Sequence, residues 1–377
     1  MILRKGIPED VGMSGMKLKN LEELSEQWVH KKLLHSLVYM VARKGVIVSH
    51  KAFGKLTGEA DSEPVKVDSL YPIASVTKTI TATAVMMLVE EGLISINWSV
   101  SHLIPEFKGE GKGAVNIYHL LTHTSGLKDD TVFPYIDSVR GKVELPQRED
   151  TQHPNIYEML YLGYEAPLSM KPGVEMSYCG YGIELLSEIV RRVSGKPIEV
   201  FAKERIFDPL GMKDTSYILQ MSERYRAAKH PEFGEFSGIC TDKHMDTPSA
   251  GGGVYSTVYD MAIFCHMFLN KGVYNGKRLL SKATVSEMTK NQIPGIPARW
   301  GDEFFPEASW GYCWDIHGYK RAASELWSPN VYSHGGYGGM VIWVDPEEEI
   351  VCTYFSSVLK DNCKDRFNNG IIAAIDE

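Results

Sequence analysis

From Val76 to Glu90 the chain is apolar on most faces, and Gly92 ends the run. A helix that is apolar nearly all round has to be enclosed by protein, so this stretch predicts a buried central helix with the rest of the fold layered around it. A core of that kind needs a large chain. The 377 residues are 44% hydrophobic and 23% charged, which excludes disorder as the main state. At roughly 150 residues per domain, the length suits two domains, or one large domain carrying an insertion.

The flanking patterns say how the layers are assembled. Met16, Leu18, Leu21, Leu24 and Trp28 recur at helical spacing behind Ser14, predicting an N-capped amphipathic helix from Ser14 to Lys32 on the surface of a sheet. Leu37 to Ala42 and Val46 to His50, split by Arg43-Lys44-Gly45, predict a hairpin. Helical patches at 117–121, 178–193 and 198–207 follow among long Pro- and Gly-bearing loops, then helices at 259–270 and 281–290. Short strands are expected at 310–316, 341–344 and 350–354, and a terminal helix at 360–375. The two ends of the chain, 1–92 and 258–377, thus predict one layered α/β domain, and 93–257 a mostly helical inserted domain.

Charge and cysteine usage narrow the function. Forty Lys+Arg against forty-eight Asp+Glu leave a net charge of -8, and the longest like-charged run is Glu347-Glu348-Glu349, so nucleic acid and anionic membranes are not expected partners. No stretch approaches the roughly 18 apolar residues of a membrane span. Residues Met1 to Pro8 lack the apolar core of a secretory leader, and the expected compartment is the cytoplasm. The six cysteines form no Cys-x-x-Cys pair, which points to free buried thiols. Nothing in the sequence specifies an oligomeric state.

Ser75-Val76-Thr77-Lys78 places a hydroxyl and an amine three residues apart at the mouth of the central helix, on one face, where they can touch as nucleophile and base. A free lysine titrates near about 10.4, so a neutral amine at pH 7 costs roughly 4.6 kcal/mol, a size that burial can supply. Tyr178, in Pro172-Gly173-Val174-Glu175-Met176-Ser177-Tyr178, opens the next amphipathic helix and can relay a proton. Ser333-His334-Gly335-Gly336-Tyr337-Gly338-Gly339 stands immediately ahead of the strand at 341–344, and its side-chain-free glycines let a substrate lie close against a strand edge, where a backbone N–H completes an oxyanion hole with that of Ser75; a plain Gly-rich turn is the alternative. His119 and His123 share helical spacing, but the glutamate of His-Glu-x-x-His is absent, and no metal is expected. Cys179 has no placed partner for Cys/His catalysis, and no Gly-x-Ser-x-Gly elbow occurs.

These motifs, in this order, resemble the serine β-lactamase and penicillin-binding-protein-like hydrolases, in particular the class C branch with its family VIII-type esterase and D-aminopeptidase relatives. Ser75-x-x-Lys78 resembles the nucleophile motif, Tyr178 heads the Tyr-x-Asn motif, and His334-Gly335-Gly336 stands where the family has Lys-Thr-Gly or His-x-Gly. Leu120 to Leu127, Pro209 to Met212, Ala250 to Thr257 and Trp310 to Trp314 are similar to further family segments. The resemblance implies an α+β, two-lobed fold with an antiparallel β-sheet flanked by helices and a site in the cleft between the lobes. It implies Ser75, Lys78 and Tyr178 as catalytic residues and His334, Gly336 and Tyr337 as the substrate and oxyanion side, with no cofactor. The partner is then a small-molecule ester, amide or β-lactam.

Two departures shape the expected substrate. Tyr178-Cys179-Gly180 lacks the family's asparagine, whose amide hydrogen-bonds the lysine and an acylamino substrate. His334 replaces a lysine, and an imidazole titrating near about 6.5 is a weaker anchor for a carboxylate. Both favour a small ester or simple amide over penicillins; β-lactamase or D-amino-acid peptidase activity, and a non-hydrolytic penicillin-binding sensor, are the alternatives. A participating His334 predicts an inflection in kcat/KM between about pH 5.5 and 7.5. The aromatic residues Phe133, Tyr135, Trp300, Phe304, Phe305, Trp310, Trp314 and Trp327 suggest an apolar acyl pocket.

Overall fold

The computed structural model describes residues 2–57, 59, 61–229, 241–300, 303–320, 324–357 and 363–376. Its centre is a seven-stranded sheet of β1 (Arg4–Lys5), β2 (Ser36–Arg43), β3 (Val46–Gly54), β4 (Asp315–Ile316), β5 (Tyr332–Gly336), β6 (Met340–Asp345) and β7 (Ile350–Ser356), in spatial order β1-β3-β2-β7-β6-β5-β4. Every neighbouring pair is antiparallel except β1 with β3. The strands from the two ends of the chain meet at β2 and β7, with Leu37 opposite Ser356 and Arg43 opposite Ile350.

Strand alternation makes the sheet two-sided. Leu37, Tyr39 and Val41 of β2 share one face with Val341, Trp343, Cys352 and Tyr354, and this face packs on α1 (Gly15–His30) and on the C-terminal helix through Trp28, Phe367 and Ile371. Val38, Met40 and Ala42 share the other face with Ile342, Val344, Val351 and Phe355. That face is covered by Val258–Leu269, while the central helix α2 (Thr77–Glu90) joins the same apolar core. Burial on both faces explains why β2, β6 and β7 read as nearly continuous apolar runs.

The helices between 93 and 257 gather around α2, which packs chiefly on Gly180–Ser194 and Ile198–Ala202. They include Ile117–Leu121, α3 (Asp129–Val139), Pro154–Gly163, α4 (Gly180–Ser194) and Ile198–Ala202. In the described residues no helix is long and apolar enough to cross a membrane.

Two elements differ from their sequence reading. The strand expected at 310–316 shrinks to Asp315–Ile316, because Ser309 (φ 50°) and Cys313 (φ 55°) turn the chain, and Gly311 lies so near the Met288 carbonyl that a Cβ would stand 2.3 Å from its oxygen. The Gly-rich segment at 333–339, placed ahead of a strand in sequence, itself begins as strand β5, where Gly335 and Gly336 pair with Val341 and Met340, and turns only after Gly336. The terminal helix is Cys363–Ala373; the expected start at 360–362 lies outside the described residues, as does Cys240.

Candidate active site

Ser75 sits in a 3₁₀ turn, Ala74–Val76, that runs directly into α2. Lys78 lies three residues on, in the first turn of α2, where i and i+3 side chains share a face, and its Nζ donates to Ser75 Oγ at 2.9 Å. Ala74 enters this turn at φ 47°, a left-handed conformation that a side-chain-bearing residue adopts only under constraint. The constraint comes from both sides: Ile73 N–H donates to Val254 O at 2.9 Å, and Val76 N–H closes on Ile73 O at 3.2 Å.

Lys78 is only 3% exposed, deep enough for its charge to require partners. Its second bond is to the Gly251 carbonyl oxygen, at 2.7 Å. The same loop is stitched to α2 by Thr81 Oγ1 donating to Ala250 O at 2.9 Å and by Val254 N–H donating to Thr77 Oγ1 at 3.2 Å. These threonines interrupt an otherwise apolar helix because each carries a buried bond. The Tyr178 ring completes the enclosure, its centroid 4.8 Å from Lys78 Nζ, within cation–π range.

Tyr178 is held by residues far away in sequence. His123, itself at φ 56°, clasps it from both neighbours: its carbonyl accepts from Ser177 N–H at 2.8 Å and its Nδ1 accepts from Cys179 N–H at 3.2 Å. The His123 ring packs on the Tyr178 ring at 4.4 Å. Burial pushes the His123 imidazole well below its ordinary value, and the nearby Lys78 charge adds to this; the ring is neutral. Asp129, at the start of α3, accepts from Gly180 N–H at 2.6 Å, Tyr181 N–H at 3.1 Å and the Cys179 thiol at 3.2 Å. It therefore caps α4 with a side chain from another helix. Trp310 lies edge-on to Tyr178 (6.1 Å), His123 (5.6 Å) and His334 (5.8 Å).

The third segment reaches Ser75 through a close backbone approach. A Cβ at Gly336 would stand 2.3 Å from the Ile73 carbonyl oxygen, so only glycine lets β5 lie against the serine turn. Tyr337 follows, 45% exposed, at the mouth. His334 behaves differently from its sequence reading. It is 2% exposed, its Nδ1–H donates to Gly335 O at 2.8 Å, and burial, helped by the Lys78 charge, pushes its titration down to about 3. With the imidazole neutral across the physiological range, no inflection between pH 5.5 and 7.5 is expected from His334.

The aromatic residues also divide. Phe305 and Trp310 line a cavity of about 350 Å³ with Met176 and Ala308. Trp314 is core, packed on Phe268 at 5.0 Å, and Trp327 lies on the opposite face of the sheet against Trp343 at 5.2 Å. Phe133 and Phe304 are exposed. His119 caps Ile117–Leu121, its Nδ1 accepting from Asn116 N–H at 3.0 Å. Among the described residues no group of three or more His, Cys, Asp or Glu is placed to hold a metal. Burial and the Asp129 carboxylate push the Cys179 thiol well above its ordinary value, which makes it a poor nucleophile.

Sequence reasoning passed over the positioning groups: Asp129, the role of His123, the Gly251 carbonyl, and Glu184, a buried carboxylate set between Ile183 and Leu185. An acidic residue inside an apolar helical stripe was the one readable signal among them.

Comparison with known proteins identifies the family. The beta-lactamase family model matches residues 21–377. Esterase EstB of Burkholderia gladioli is 32% identical over 214 residues, 56% of this chain; the match spans 54% of the esterase, about half its length. A penicillin-binding protein homologue from Caulobacter crescentus superposes with a TM-score of 0.75 at 19% identity, over 95% of this chain and 97% of that one. A family VIII carboxylesterase does so with a TM-score of 0.73 at 21% identity, over 95% and 96%. With the family matched from residue 21 to residue 377 and the same fold in these neighbours, the chain belongs to the beta-lactamase family.

Proposed function

We propose that this protein is a serine hydrolase that cleaves small carboxylic esters through an acyl-enzyme on Ser75. The observation that carries the reading is the enclosed pair: Ser75 Oγ 2.9 Å from a lysine amine that is 3% exposed and ringed by Gly251 O and Tyr178. In this reading Ser75 Oγ attacks the ester carbonyl carbon while its proton passes to the Lys78–Tyr178 pair. The carbonyl oxygen, now anionic, is held by the backbone N–H groups of Ser75 and Tyr337. The pair returns the proton to the leaving alkoxide, and water, deprotonated by the same pair, hydrolyses the acyl-enzyme.

Two features favour an ester over a β-lactam or an acylamino peptide. Position 180 is a glycine with no amide to offer, and the His334 imidazole is neutral, so it brings no cation to a substrate carboxylate. The division into a sheet domain (1–92 and 258–377) and a helical domain (93–257) belongs to the same proposal, with Ser75 at their junction.

A substrate panel tests it: p-nitrophenyl acetate and butyrate, a D-amino-acid amide and nitrocefin, with wild type and Ser75→Ala. Turnover of the esters, lost in Ser75→Ala, is the expected result. Nitrocefin turnover far above the esters overturns the ester reading, and a stable penicilloyl adduct without turnover supports a sensor instead.

A further inference from the structure

One buried ionisable group beside the reaction centre has no part in the mechanism above. Glu184 lies one turn after Gly180 on the same face of α4, and it is 4% exposed. Its carboxylate accepts from Ser249 Oγ at 2.6 Å, Ala250 N–H at 3.1 Å and Gly251 N–H at 3.1 Å. Gly251 is the residue whose carbonyl oxygen takes the second bond of Lys78. A Cβ at Gly251 would stand 3.6 Å from Glu184 Oε1, 3.7 Å from Lys78 Nζ and 3.7 Å from Gly180 O. Carboxylate, amine and the start of α4 thus converge on one glycine.

Burying a carboxylate is costly, and an amide or hydroxyl could tether a loop at less cost. Burial does push the Glu184 carboxyl upward, opposed by its three donors and by the charge of Lys78. What a carboxylate adds is acceptor capacity for three donors at once and a negative charge facing the amine.

We propose that Glu184 is a positioning residue for the Ser75–Lys78 pair: by gripping residues 249–251 it fixes the Gly251 carbonyl that aims Lys78 Nζ at Ser75 Oγ. It supplies, one turn along the helix, the polar group that Gly180 lacks. The inference rests on the serine-hydrolase reading and extends it, because Glu184 acts only through the lysine and touches no substrate.

The test uses the full chain and p-nitrophenyl butyrate, with the rate of Ser75 labelling by a fluorophosphonate as a second readout. Glu184→Gln is expected to lower kcat about tenfold or more with KM within about twofold, and to slow labelling in parallel. Placing an amide at residue 180 in that background, Gly180→Asn with Glu184→Gln, is expected to restore about fivefold or more of the loss, which a purely structural role would not allow. If Glu184→Gln does not fold, Ser249→Ala carries the test. It removes the 2.6 Å bond but leaves the charge, and a loss in kcat of about threefold or more at unchanged KM is expected.

An unchanged kcat in Glu184→Gln, a loss confined to KM, or no recovery with Gly180→Asn overturns the inference; so does wild-type kcat in Ser249→Ala. In each case a labelled, active wild type leaves the hydrolase reading standing. A wild type that is neither labelled nor active removes that reading and this one together.

Discussion

Ser75 and Lys78 meet because they are three residues apart at the start of one helix, whereas Tyr178 reaches them because His123, Asp129 and Trp310 hold it there. The first half of the site is local geometry sealed by one loop. The second half is a set of tertiary contacts that converge from separate segments. The local half can be detuned from a distance only through that loop and its Glu184 anchor, while the assembled half can be detuned from several places without altering any reacting group.

The sharpest way to separate the halves is to remove the local one. Ser75→Ala is expected to abolish ester turnover and fluorophosphonate labelling, and Lys78→Ala to reduce kcat on the order of 10³-fold or more, since nucleophile and base act as a unit. Near-normal kcat in Lys78→Ala would move the base role to Tyr178. On the assembled half the expected effect is smaller. Asp129→Ala strips the cap from α4, and steady-state kcat should fall about 10- to 100-fold through displacement of Tyr178. It should also cost about 1 to 2 kcal/mol of stability, measured by urea unfolding. Labelling of Ser75 slowed as much as in Lys78→Ala would erase the distinction between the halves.

The smallest effect concerns protons. His334 and His119 are neutral when folded, titrating near about 3 and about 4 because of burial. The unfolded chain binds protons near about 6.5, so it gains them first, and stability falls as the pH drops below that value toward the folded ones. Between pH 7 and 5 each imidazole costs roughly 2 kcal/mol, and His334→Asn should recover its share in urea titrations at the two pH values. The shape of kcat/KM against pH should be the same in His334→Asn and wild type between pH 5.5 and 7.5. A changed profile would return His334 to the proton path.

What could be read beforehand follows the same division. The central helix, the hairpin and the Ser75/Lys78 spacing were legible because burial and i,i+3 geometry act within a few residues. The need for glycine at position 336 was not legible, because its reason is the carbonyl of Ile73, some 260 residues earlier. The 310–316 segment alternates like a strand, yet Ser309 and Cys313 adopt left-handed backbone that only tertiary packing imposes. The neutral state of His334 depends on an enclosure made by other segments, and its reference value alone suggested titration near pH 6.5.

The pairing of β2 with β7 carries a consequence for biosynthesis. Ser36 N–H donates to Ser357 Oγ across 321 residues, so the middle of the sheet cannot close until the final strand has left the ribosome. Until then the helix Val258–Leu269 lacks the strand it packs on most heavily, and the apolar surface it turns to β7 stands open to water. Contacts of such long separation fold slowly, and a nascent chain waiting in this state is a natural client for chaperones. Truncation before Ile350 would leave the nucleophile's amino acids intact in sequence but without the platform that makes them a site.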